Sequence, residues 1–234
     1  MEINNLVLLA GGLATRLKPV TESIPKSMID VSGKPFIQHQ LELIRDRGIG
    51  KVVICAGAMG DQIEKYTREN SFGGLEILFS YDGYKLLGTG GALRKALGRL
   101  DDKFFVMYGD SYLDTDFNVI NKYFLSQKKN GLMTVFRNEG RWDSSNIEFE
   151  DGIILDYDKK EKNENMKYID YGLGILTRKV FEDFNDREVF DLEEVYKALL
   201  KKNDLAGYEV SERFYEIGSF KGLDETRKLL SNKK

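Results

Sequence analysis

Short apolar runs alternate with helical patterns along the first half of the chain. The helical patterns are Phe36–Arg47, whose apolar residues recur near helical spacing, and the shorter Gly60–Arg68 and Gly91–Leu97. Glycine or charged residues bound each apolar run, which is typical of buried parallel strands. The runs are Leu6–Ala10, Val52–Ala56 and Phe104–Tyr108. This alternation predicts a doubly wound, mostly parallel α/β sheet, whose ligands bind beyond the carboxyl ends of the strands.

Strand-type patterns dominate after a helix that is expected from Asp116 to about Lys129. The Glu-Asp-Gly sequence at 150–152 is typical of a hairpin turn between two of these runs. The runs are Leu132–Arg137, Ser145–Phe149, Ile153–Tyr157 and Tyr171–Thr177. This β-rich portion is expected to extend the sheet and to cover an acceptor. The charged segment Lys159–Lys167 is expected to be a solvated loop.

Two helices are expected near Asp191–Lys202 and Phe220–Leu230, and Asp191 forms a capping box with Glu194 at the start of the first. The chain has 234 residues, enough to bury one hydrophobic core, and we expect a single domain over its whole length. No hexapeptide repeat follows the α/β portion, so an appended β-helix domain is not expected.

Composition narrows the range of partners. A net charge of −3 gives no general attraction to nucleic acid or to an anionic membrane, so any recognition of phosphate must be local. Cys55 is the only cysteine, which excludes an intrachain disulfide, and its apolar setting predicts a buried thiol. No run reaches the length of a membrane span and the N-terminus lacks a signal-peptide pattern, so we expect a cytoplasmic protein.

A cationic loop follows the first predicted strand. Gly11 and Gly12 would let backbone N–H groups approach a polyphosphate, and Arg16 and Lys26 would supply positive charge. A plain strand-to-helix turn would explain the two glycines equally well. The segment 6–36 contains all three prolines of the chain, Pro19, Pro25 and Pro35. Because proline fixes φ, this loop is expected to have a preformed shape.

Acidic residues offer candidate metal ligands. Asp110 ends the third predicted strand and would project into the ligand crevice, or it could cap the next turn. Glu216 precedes the last helix and is either a second metal ligand or an ordinary loop glutamate. Lys159 could meet a second phosphate or be a surface lysine. Asp114 and Asp116 form a D-x-D triplet, which is typical of metal-dependent glycosyltransferases. We expect their carboxylates instead to cap a helix and to place negative charge at its first turn.

Three further features each allow two interpretations. The sequence Gly-Thr-Gly-Gly at Gly88–Gly91 suits a backbone edge against a base or ribose, or Thr89 simply begins the following helix. Trp142 is expected to anchor a loop, with the lining of a sugar site as the alternative. His39 is expected to have a structural or exposed position and no part in catalysis.

Taken in order, these elements resemble the sugar-1-phosphate nucleotidyltransferases (nucleotide-sugar pyrophosphorylases), which have a Rossmann-like sheet. The segment LLAGGLATRLKPVTESIPKSMIDVSGKPF at 8–36 is similar to the family pattern AGG-x-G-T-R-L-x-P-T, followed by P-K and K-P. The resemblance covers nearly the whole chain and continues through GTGG at 88–91, GD at 109–110, DYDK at 156–159 and EIGS at 216–219. Two departures are Ala14, where the family usually has glycine, and Glu216, where aspartate is commoner.

The resemblance implies a role for each candidate residue. Arg16 would contact the departing pyrophosphate and Lys26 the α-phosphate, and Asp110 with Glu216 would hold Mg²⁺. Arg16, Lys26 and Asp110 would together form the catalytic group. The nucleotide contacts would come from Leu9, Ala10, Gly11, Gly12, Thr15, Thr89, Gly90, Gly91 and Gly109. The acceptor contacts would come from Lys159, Asp170, Tyr171 and Gly172.

The implied reaction is attack by a sugar 1-phosphate on the α-phosphorus of a nucleoside triphosphate, for cell-surface polysaccharide synthesis. The attacking phosphate is already ionised near pH 7, so the reaction needs no general base. Residues 1–116 would bind the nucleotide and residues 117–234 the sugar phosphate, in a monomer or homodimer without nucleic-acid or membrane partners. The resemblance is to the branch that activates heptose 1-phosphate with GTP or N-acetylmuramate 1-phosphate with UTP. GTP with heptose 1-phosphate is favoured, and UTP, CTP or dTTP with another sugar phosphate or phospho-alcohol is the alternative. A metal-dependent glycosyltransferase and a non-catalytic nucleotide-sensing homologue are the alternatives from other classes.

Overall fold

The computed structural model describes residues 2–12, 15–17, 20–57 and 59–232. The strands are β1 (Asn5–Leu9), β2 (Asp30–Val31), β3 (Lys34–Pro35), β4 (Lys51–Ala56), β5 (Glu76–Tyr81), β6 (Lys103–Tyr108), β7 (Ser111–Tyr112), β8 (Gly131–Arg137), β9 (Ile147–Glu150), β10 (Ile153–Tyr157), β11 (Tyr168–Thr177), β12 (Leu205–Val210) and β13 (Tyr215–Glu216). The helices are α1 (Phe36–Asp46), α2 (Gly60–Glu69), α3 (Gly88–Ala96), α4 (Phe117–Gln127), α5 (Leu192–Lys201) and α6 (Phe220–Ser231). Short 3₁₀ turns lie at Thr15–Leu17, Val20–Glu22, Lys26–Met28, Leu97–Arg99 and Arg178–Phe184.

Nine of these strands form one sheet in the order β10-β9-β11-β6-β1-β4-β5, with β8 paired between β11 and β12. The neighbours β5, β4, β1 and β6 run parallel. β11 joins β6 in the antiparallel sense, so the second half of the chain extends the sheet that the first half begins. Two small ladders, β2–β3 and β7–β13, lie apart from it. The predicted α/β class, with a parallel core and a β-rich addition, is confirmed.

Helices cover both faces of the parallel core, which explains why β1, β4 and β6 are apolar along most of their length. Leu6 and Leu8 of β1 pack into a cluster with α1, α2 and α4. Val7 and Leu9 point to the opposite face and pack with α3 and α5. Cys55 belongs to this second cluster and is buried, as the sequence predicts. The carboxyl ends of β1 and β6 are therefore held side by side by packing from both sides.

Two local signals for turns and caps are confirmed. The hairpin between β9 and β10 turns at Asp151 and Gly152, whose φ values of +45° and +86° are the left-handed pair that a type I′ turn needs. Asp191 and Glu194 form the predicted capping box at the start of α5.

Other boundaries differ from the prediction. α3 begins at Gly88, three residues early, and β11 begins at Tyr168 because the strand continues through a register shift between Asp170 and Gly174. β5 and β12 lie outside the predicted strands. β5 is a partly exposed edge strand without a clean alternation. In β12, Gly207 interrupts the apolar sequence pattern. A Cβ at Gly207 would lie 2.6 Å from the Phe149 ring. Within the described residues, no helix combines the length and the apolar character needed to cross a membrane.

Candidate active site

Two cavities lie at the carboxyl ends of β1 and β6 and share Tyr108 and Asp110 in their walls. The first cavity has a volume of about 260 Å³, and the second has a volume of about 530 Å³. Of the predicted site residues, the first cavity is lined by Leu9, Ala10, Gly11, Gly12, Lys26, Thr89, Gly109 and Asp110. The second is lined by Arg16, Asp110, Lys159, Asp170, Tyr171, Gly172 and Glu216. Most of the predicted site thus lies at the sheet edge where α/β proteins bind ligands.

Different parts of the chain build the two cavities. The residues lining the first come from the first 110 positions, except for Asp191 at the N-terminus of α5. The second draws mainly on residues 142–172 and 213–225, together with Arg16 and Tyr108–Ser111. Because the two sets meet at Asp110, a ligand in one cavity lies next to a ligand in the other.

Glycines bring the ends of β1, β4 and β6 close together. A Cβ on Gly57 would lie 2.6 Å from the Gly11 carbonyl oxygen, and a Cβ on Gly109 would lie 2.7 Å from the Leu9 carbonyl oxygen. At Gly12, by contrast, a Cβ would meet no described atom within 4 Å. Gly11 and Gly109 therefore serve the close approach of the strand ends, whereas Gly12 leaves open space beside the first cavity.

Lys26 and Asp110 form an ion pair where the two cavities meet. Lys26 Nζ lies 2.9 Å from Asp110 Oδ2, and the two side chains are 18% and 36% exposed. Lys26 begins a 3₁₀ turn that follows Pro25, and Met28 N–H closes the turn onto the Pro25 carbonyl oxygen at 2.9 Å. Each charge neutralises the other, so an incoming phosphate or cation must compete for its partner.

Glu216 lies beside Asp110 and directs its carboxylate to its own loop. The β7–β13 ladder pairs Glu216 with Ser111, the neighbour of Asp110. The carboxylate accepts hydrogen bonds from Gly218 N–H, from Ser219 N–H at 3.1 Å and from the Ser219 hydroxyl at 2.6 Å. These donors directly precede α6, so Glu216 also faces the positive end of that helix.

The two carboxylates and Lys26 all approach Gly218. A Cβ on Gly218 would lie 2.7 Å from Glu216 Oε2 and 3.5 Å from both Asp110 Oδ2 and Lys26 Nζ. Within the described residues, no group of three or more His, Cys, Asp and Glu could hold a metal ion. Mg²⁺ commonly binds through one or two carboxylates and completes its shell with water and phosphate oxygens. Two carboxylates suit an ion that arrives with phosphate, but in this structure Asp110 is paired with Lys26 and Glu216 with the loop before α6.

Asp170 is a buried carboxylate held by tyrosines. Its side chain is 7% exposed. Asp170 Oδ2 accepts hydrogen bonds from the hydroxyls of Tyr108 at 3.4 Å and Tyr157 at 3.3 Å, and Oδ1 accepts one from Gly172 N–H at 3.0 Å. Burial, followed by the charge of Asp170, raises the pKa of both tyrosines. Both phenols therefore stay protonated and act as donors.

Lys159 joins the same network from the second cavity. Its Nζ lies 3.8 Å from Asp170 Oδ2 and 3.3 Å from the Tyr108 hydroxyl, and 5.1 Å from the centroid of the Tyr108 ring. The carboxylate and the ring face hold the cation near the junction of the cavities. Its side chain is 39% exposed, so an incoming phosphate can reach it.

Asp158 fixes the loop that carries Lys159. Its Oδ1 accepts hydrogen bonds from the N–H groups of Lys160 at 2.7 Å and Glu161 at 2.8 Å, and its Oδ2 lies 2.5 Å from Lys197 Nζ of α5. The hydrogen bond from Lys197, followed by those from the two amides, holds the pKa of Asp158 well below its usual range. The turn that begins at Asp158 is therefore tied directly to α5.

We expect Asp158→Asn to lower the free energy of unfolding by about 1 kcal/mol at neutral pH. Because the folded-state pKa is depressed, the stabilisation is complete above the unfolded pKa of about 3.9 and is lost progressively as the pH falls from there through the folded-state pKa. Urea unfolding of both proteins near neutrality and near pH ~3 measures this, and the difference should shrink in acid. Asp183→Asn, which removes an exposed partner of Lys202, is the control. An equal difference at both pH values would contradict the ion pair as the cause.

Gly90 and Gly91 do not line either cavity, so the expectation that they contact a nucleotide stays a prediction. Their N–H groups both donate to the Phe190 carbonyl oxygen, at 3.0 and 3.1 Å, and a Cβ on either would overlap the segment 188–190. The missing side chains thus allow α3 to pack against the segment that leads into α5. Thr89 does line the first cavity, and its hydroxyl accepts a hydrogen bond from Leu192 N–H at 2.8 Å.

Of the remaining candidate residues in the loop after β1, the structure describes the side chain of Arg16 but not that of Thr15. Arg16 is exposed and lines the second cavity, although the expected pyrophosphate contact would place it at the first. Ala14 and Pro19 lie outside the described residues, as does the side chain of Thr15. The expectation that Thr15 contacts the nucleotide therefore stays a prediction.

The D-x-D triplet is engaged in local structure. Asp116 caps α4 by accepting hydrogen bonds from Asn118 N–H and Val119 N–H, as expected. Asp114 lies two residues before this cap and forms an ion pair with Arg47 of the loop after α1, and the first turn of α4 contains no acidic residue, contrary to the expectation.

Other side chains occupy positions that the sequence did not assign to them. Tyr108 connects Lys159 to Asp170, and Asp191 lines the first cavity in addition to capping α5. No local pattern could reveal either role, since both depend on partners distant in sequence. One ring nitrogen of His39 lies 2.7 Å from the Val31 carbonyl oxygen, which agrees with its expected structural position.

Similarity to known proteins agrees with this geometry. The profile of the family described as Nucleotidyl transferase matches residues 5–232. The chain is 30% identical over 213 residues to the D-glycero-alpha-D-manno-heptose 1-phosphate guanylyltransferase of Campylobacter jejuni, covering 91% of this chain and 93% of that protein. It is 28% identical over 218 residues to the mannose-1-phosphate guanylyltransferase catalytic subunit beta of Xenopus tropicalis, but spans only 60% of that protein's length.

Two solved structures have a similar fold. HddC from Yersinia pseudotuberculosis, crystallised with GMP-PN, superposes with a TM-score of 0.80 at 26% identity, covering 97% of this chain and 100% of that one. The inositol-1-phosphate CTP transferase of T. maritima superposes with a TM-score of 0.83, covering 99% of this chain and 96% of that one. At 18% identity this second likeness bears on the fold alone.

Proposed function

Since the chain belongs to the nucleotidyl transferase family and is a sugar-phosphate nucleotidyltransferase, we propose that it combines GTP with D-glycero-α-D-manno-heptose 1-phosphate and releases pyrophosphate. One observation carries the chemistry. Lys26 lines the first cavity and Lys159 the second, and the cavities meet at Tyr108 and Asp110. Two phosphate-bearing substrates would therefore bring their reacting groups together between two cations.

The reaction forms one bond and breaks one bond at the α-phosphorus. An oxygen of the acceptor phosphate bonds to that phosphorus, the bond to the bridging oxygen of the β-phosphate breaks, and pyrophosphate leaves with the electron pair. With a second pKa of about 6, the acceptor phosphate has no proton that must be removed. Repulsion between the two anions is the main obstacle. Lys26 and Lys159 would offset it and stabilise the charge that develops in the transition state.

Mg²⁺ is part of this proposal. Asp110 and Glu216 would hold it, since their carboxylates both approach Gly218. When bound, it would neutralise phosphate charge in the first cavity. A phosphate that draws Lys26 away from Asp110 would free the carboxylate for this role. Arg16 would contact the departing pyrophosphate from the edge of the second cavity.

The choice of GTP and heptose 1-phosphate is supported by the guanylyltransferase that is 30% identical and by the HddC structure with GMP-PN. UTP, CTP or dTTP with another sugar phosphate or phospho-alcohol is the alternative, because a few contacts within a shared pocket set specificity. The division into a nucleotide half (1–116) and an acceptor half (117–234), the cytoplasmic location, the monomeric or dimeric state and the role in cell-surface polysaccharide synthesis are further parts of the proposal.

Release of pyrophosphate tests the function directly. The protein is incubated with Mg²⁺ and each of GTP, UTP, CTP, dTTP and ATP, paired with heptose, mannose, glucose and inositol 1-phosphates, and a pyrophosphatase-coupled assay detects phosphate. We expect the highest kcat/KM for GTP with heptose 1-phosphate, and no release without an acceptor. Release with no pair, together with sugar transfer from a preformed nucleotide sugar, would favour a glycosyltransferase instead. The D-x-D triplet gives the glycosyltransferase alternative no support, because Asp114 is paired with Arg47 and Asp116 caps α4.

A further inference from the structure

An arginine lies between two aromatic rings in the wall of the second cavity. The guanidinium carbon of Arg213 is 4.6 Å from the centroid of the Trp142 ring and 4.7 Å from that of Tyr215. Its Nη2 forms an ion pair with Glu225 of α6. Its Nε is buried and has no hydrogen-bond partner among the described residues. We call these four residues the arginine stack.

The arginine stack belongs to the second cavity alone. All four of its residues line that cavity, and none of them lines the first. The side chains of Arg213 and Glu225 are 26% and 29% exposed, so a ligand in the cavity can reach both groups. Within the described residues, Arg213 forms no hydrogen bond or ion pair with Asp110 or Lys159. The arginine stack is therefore separate from the groups that face the reacting phosphates.

The rings of Trp142 and Tyr215 are also held by residues other than Arg213. The centroid of the Trp142 ring lies 5.5 Å from that of the Phe136 ring, and the backbone N–H of Trp142 donates to Asn138 Oδ1 at 3.3 Å. Tyr215 is paired with Tyr112 in the β7–β13 ladder. Replacing the arginine should therefore leave both rings near their present positions, which makes its own contribution measurable.

The charges of the arginine stack favour hydroxyl groups over a second anionic group. Glu225 neutralises Arg213, so the pair offers N–H donors and carboxylate acceptors side by side. A sugar hydroxyl both donates and accepts, and this mixed wall matches it. Stacking also fixes the planar guanidinium, so little conformational freedom is lost when it binds. Since Nε itself is inaccessible, a ligand in the cavity would bind the exposed part of the side chain.

We propose that Arg213 is a specificity-determining residue, which donates hydrogen bonds to hydroxyl oxygens of a polyhydroxylated acceptor while Glu225 accepts from a neighbouring hydroxyl. The inference rests on the proposed function, because it takes the second cavity as the acceptor site. Under this inference both interpretations of Trp142 hold. The ring anchors its loop against Phe136, and its exposed portion lines the second cavity.

Tryptophan fluorescence tests the inference without catalysis, because Trp142 is the only tryptophan of the chain. The protein is titrated, without nucleotide, with heptose 1-phosphate, mannose 1-phosphate and inorganic phosphate. Arg213→Lys keeps the charge but loses the planar fork, so the Kd of the sugar phosphates should rise at least ~10-fold. The Kd of inorganic phosphate, which carries no sugar hydroxyl, should change by less than ~2-fold. Arg141→Lys, next to Trp142 in the chain but outside both cavities, is the control.

Steady-state kinetics separate recognition from a structural role. In Arg213→Lys, the KM of the acceptor should rise at least ~10-fold, while the KM of the nucleotide and the melting temperature stay near wild type. Equal weakening of sugar phosphates and inorganic phosphate, unchanged Kd values, or no binding of either sugar phosphate by the wild type would each overturn the inference. Failure of the proposed function looks different, since the wild type would then bind a sugar phosphate but release no pyrophosphate with any nucleotide.

Discussion

Lys26→Ala and Asp110→Ala should each lower turnover at least ~100-fold while leaving the fold intact. The two residues lie where the cavities meet, so in the proposed reaction both charges would act on the reacting phosphates. Their stabilising role is small by comparison. The ion pair is partly exposed, and a partner left alone can be hydrated from the cavity, which limits the loss of unfolding free energy to about 1 kcal/mol.

The comparison requires both activity and stability. Turnover is measured by pyrophosphate release at saturating substrates, and stability by urea unfolding of the same preparations. Lys34→Ala is the matched control, because this lysine also pairs with a carboxylate, that of Glu42, but lies outside both cavities. Turnover near wild type in either Lys26→Ala or Asp110→Ala would remove that residue from the assigned site.

The ion pair also shows how much of the site the sequence can predict. Lys26 and Asp110 are 84 residues apart. Their proximity nevertheless follows from the strand pattern, because β1 and β6 are parallel neighbours and the segments after them leave the same edge of the sheet. The order of motifs, the parallel core and the capping box could be predicted because each depends on local sequence or on a general rule of α/β topology.

Contacts between distant segments could not be predicted in this way. Gly90 lacks a side chain because the ring of Phe190 fills that space, and nothing near Gly90 in sequence reveals the ring. The carboxylate of Glu216 turns to Ser219 and the start of α6, although its position beside Asp110 suits a metal ligand. Arg213 gains its surroundings from three different segments of the chain. Each case depends on tertiary packing, which overrides the local pattern.

Asp170→Ala should lower the free energy of unfolding by about 3 kcal/mol, because it leaves buried donors without their acceptor. The carboxylate is almost fully buried and accepts from Tyr108, Tyr157 and Gly172 N–H. Urea unfolding measures the loss. Asp183→Ala, whose exposed carboxylate pairs only with Lys202 among the described residues, should cost less than about 1 kcal/mol.

A double-mutant cycle with Tyr157→Phe tests whether the hydrogen bonds cause this loss. If the Tyr157 hydroxyl depends on Asp170, the two substitutions together should cost less than the sum of their separate effects, with a coupling of about 1 kcal/mol. Additive losses, or a loss below about 1 kcal/mol for Asp170→Ala alone, would contradict the network.

Asp170→Ala also removes the carboxylate that holds Lys159 beside Tyr108, so the KM of the acceptor should rise together with the loss of stability. Asp170 lines the second cavity and bonds to Tyr157 of the buried core, so a change that weakens this network should weaken the acceptor site with it.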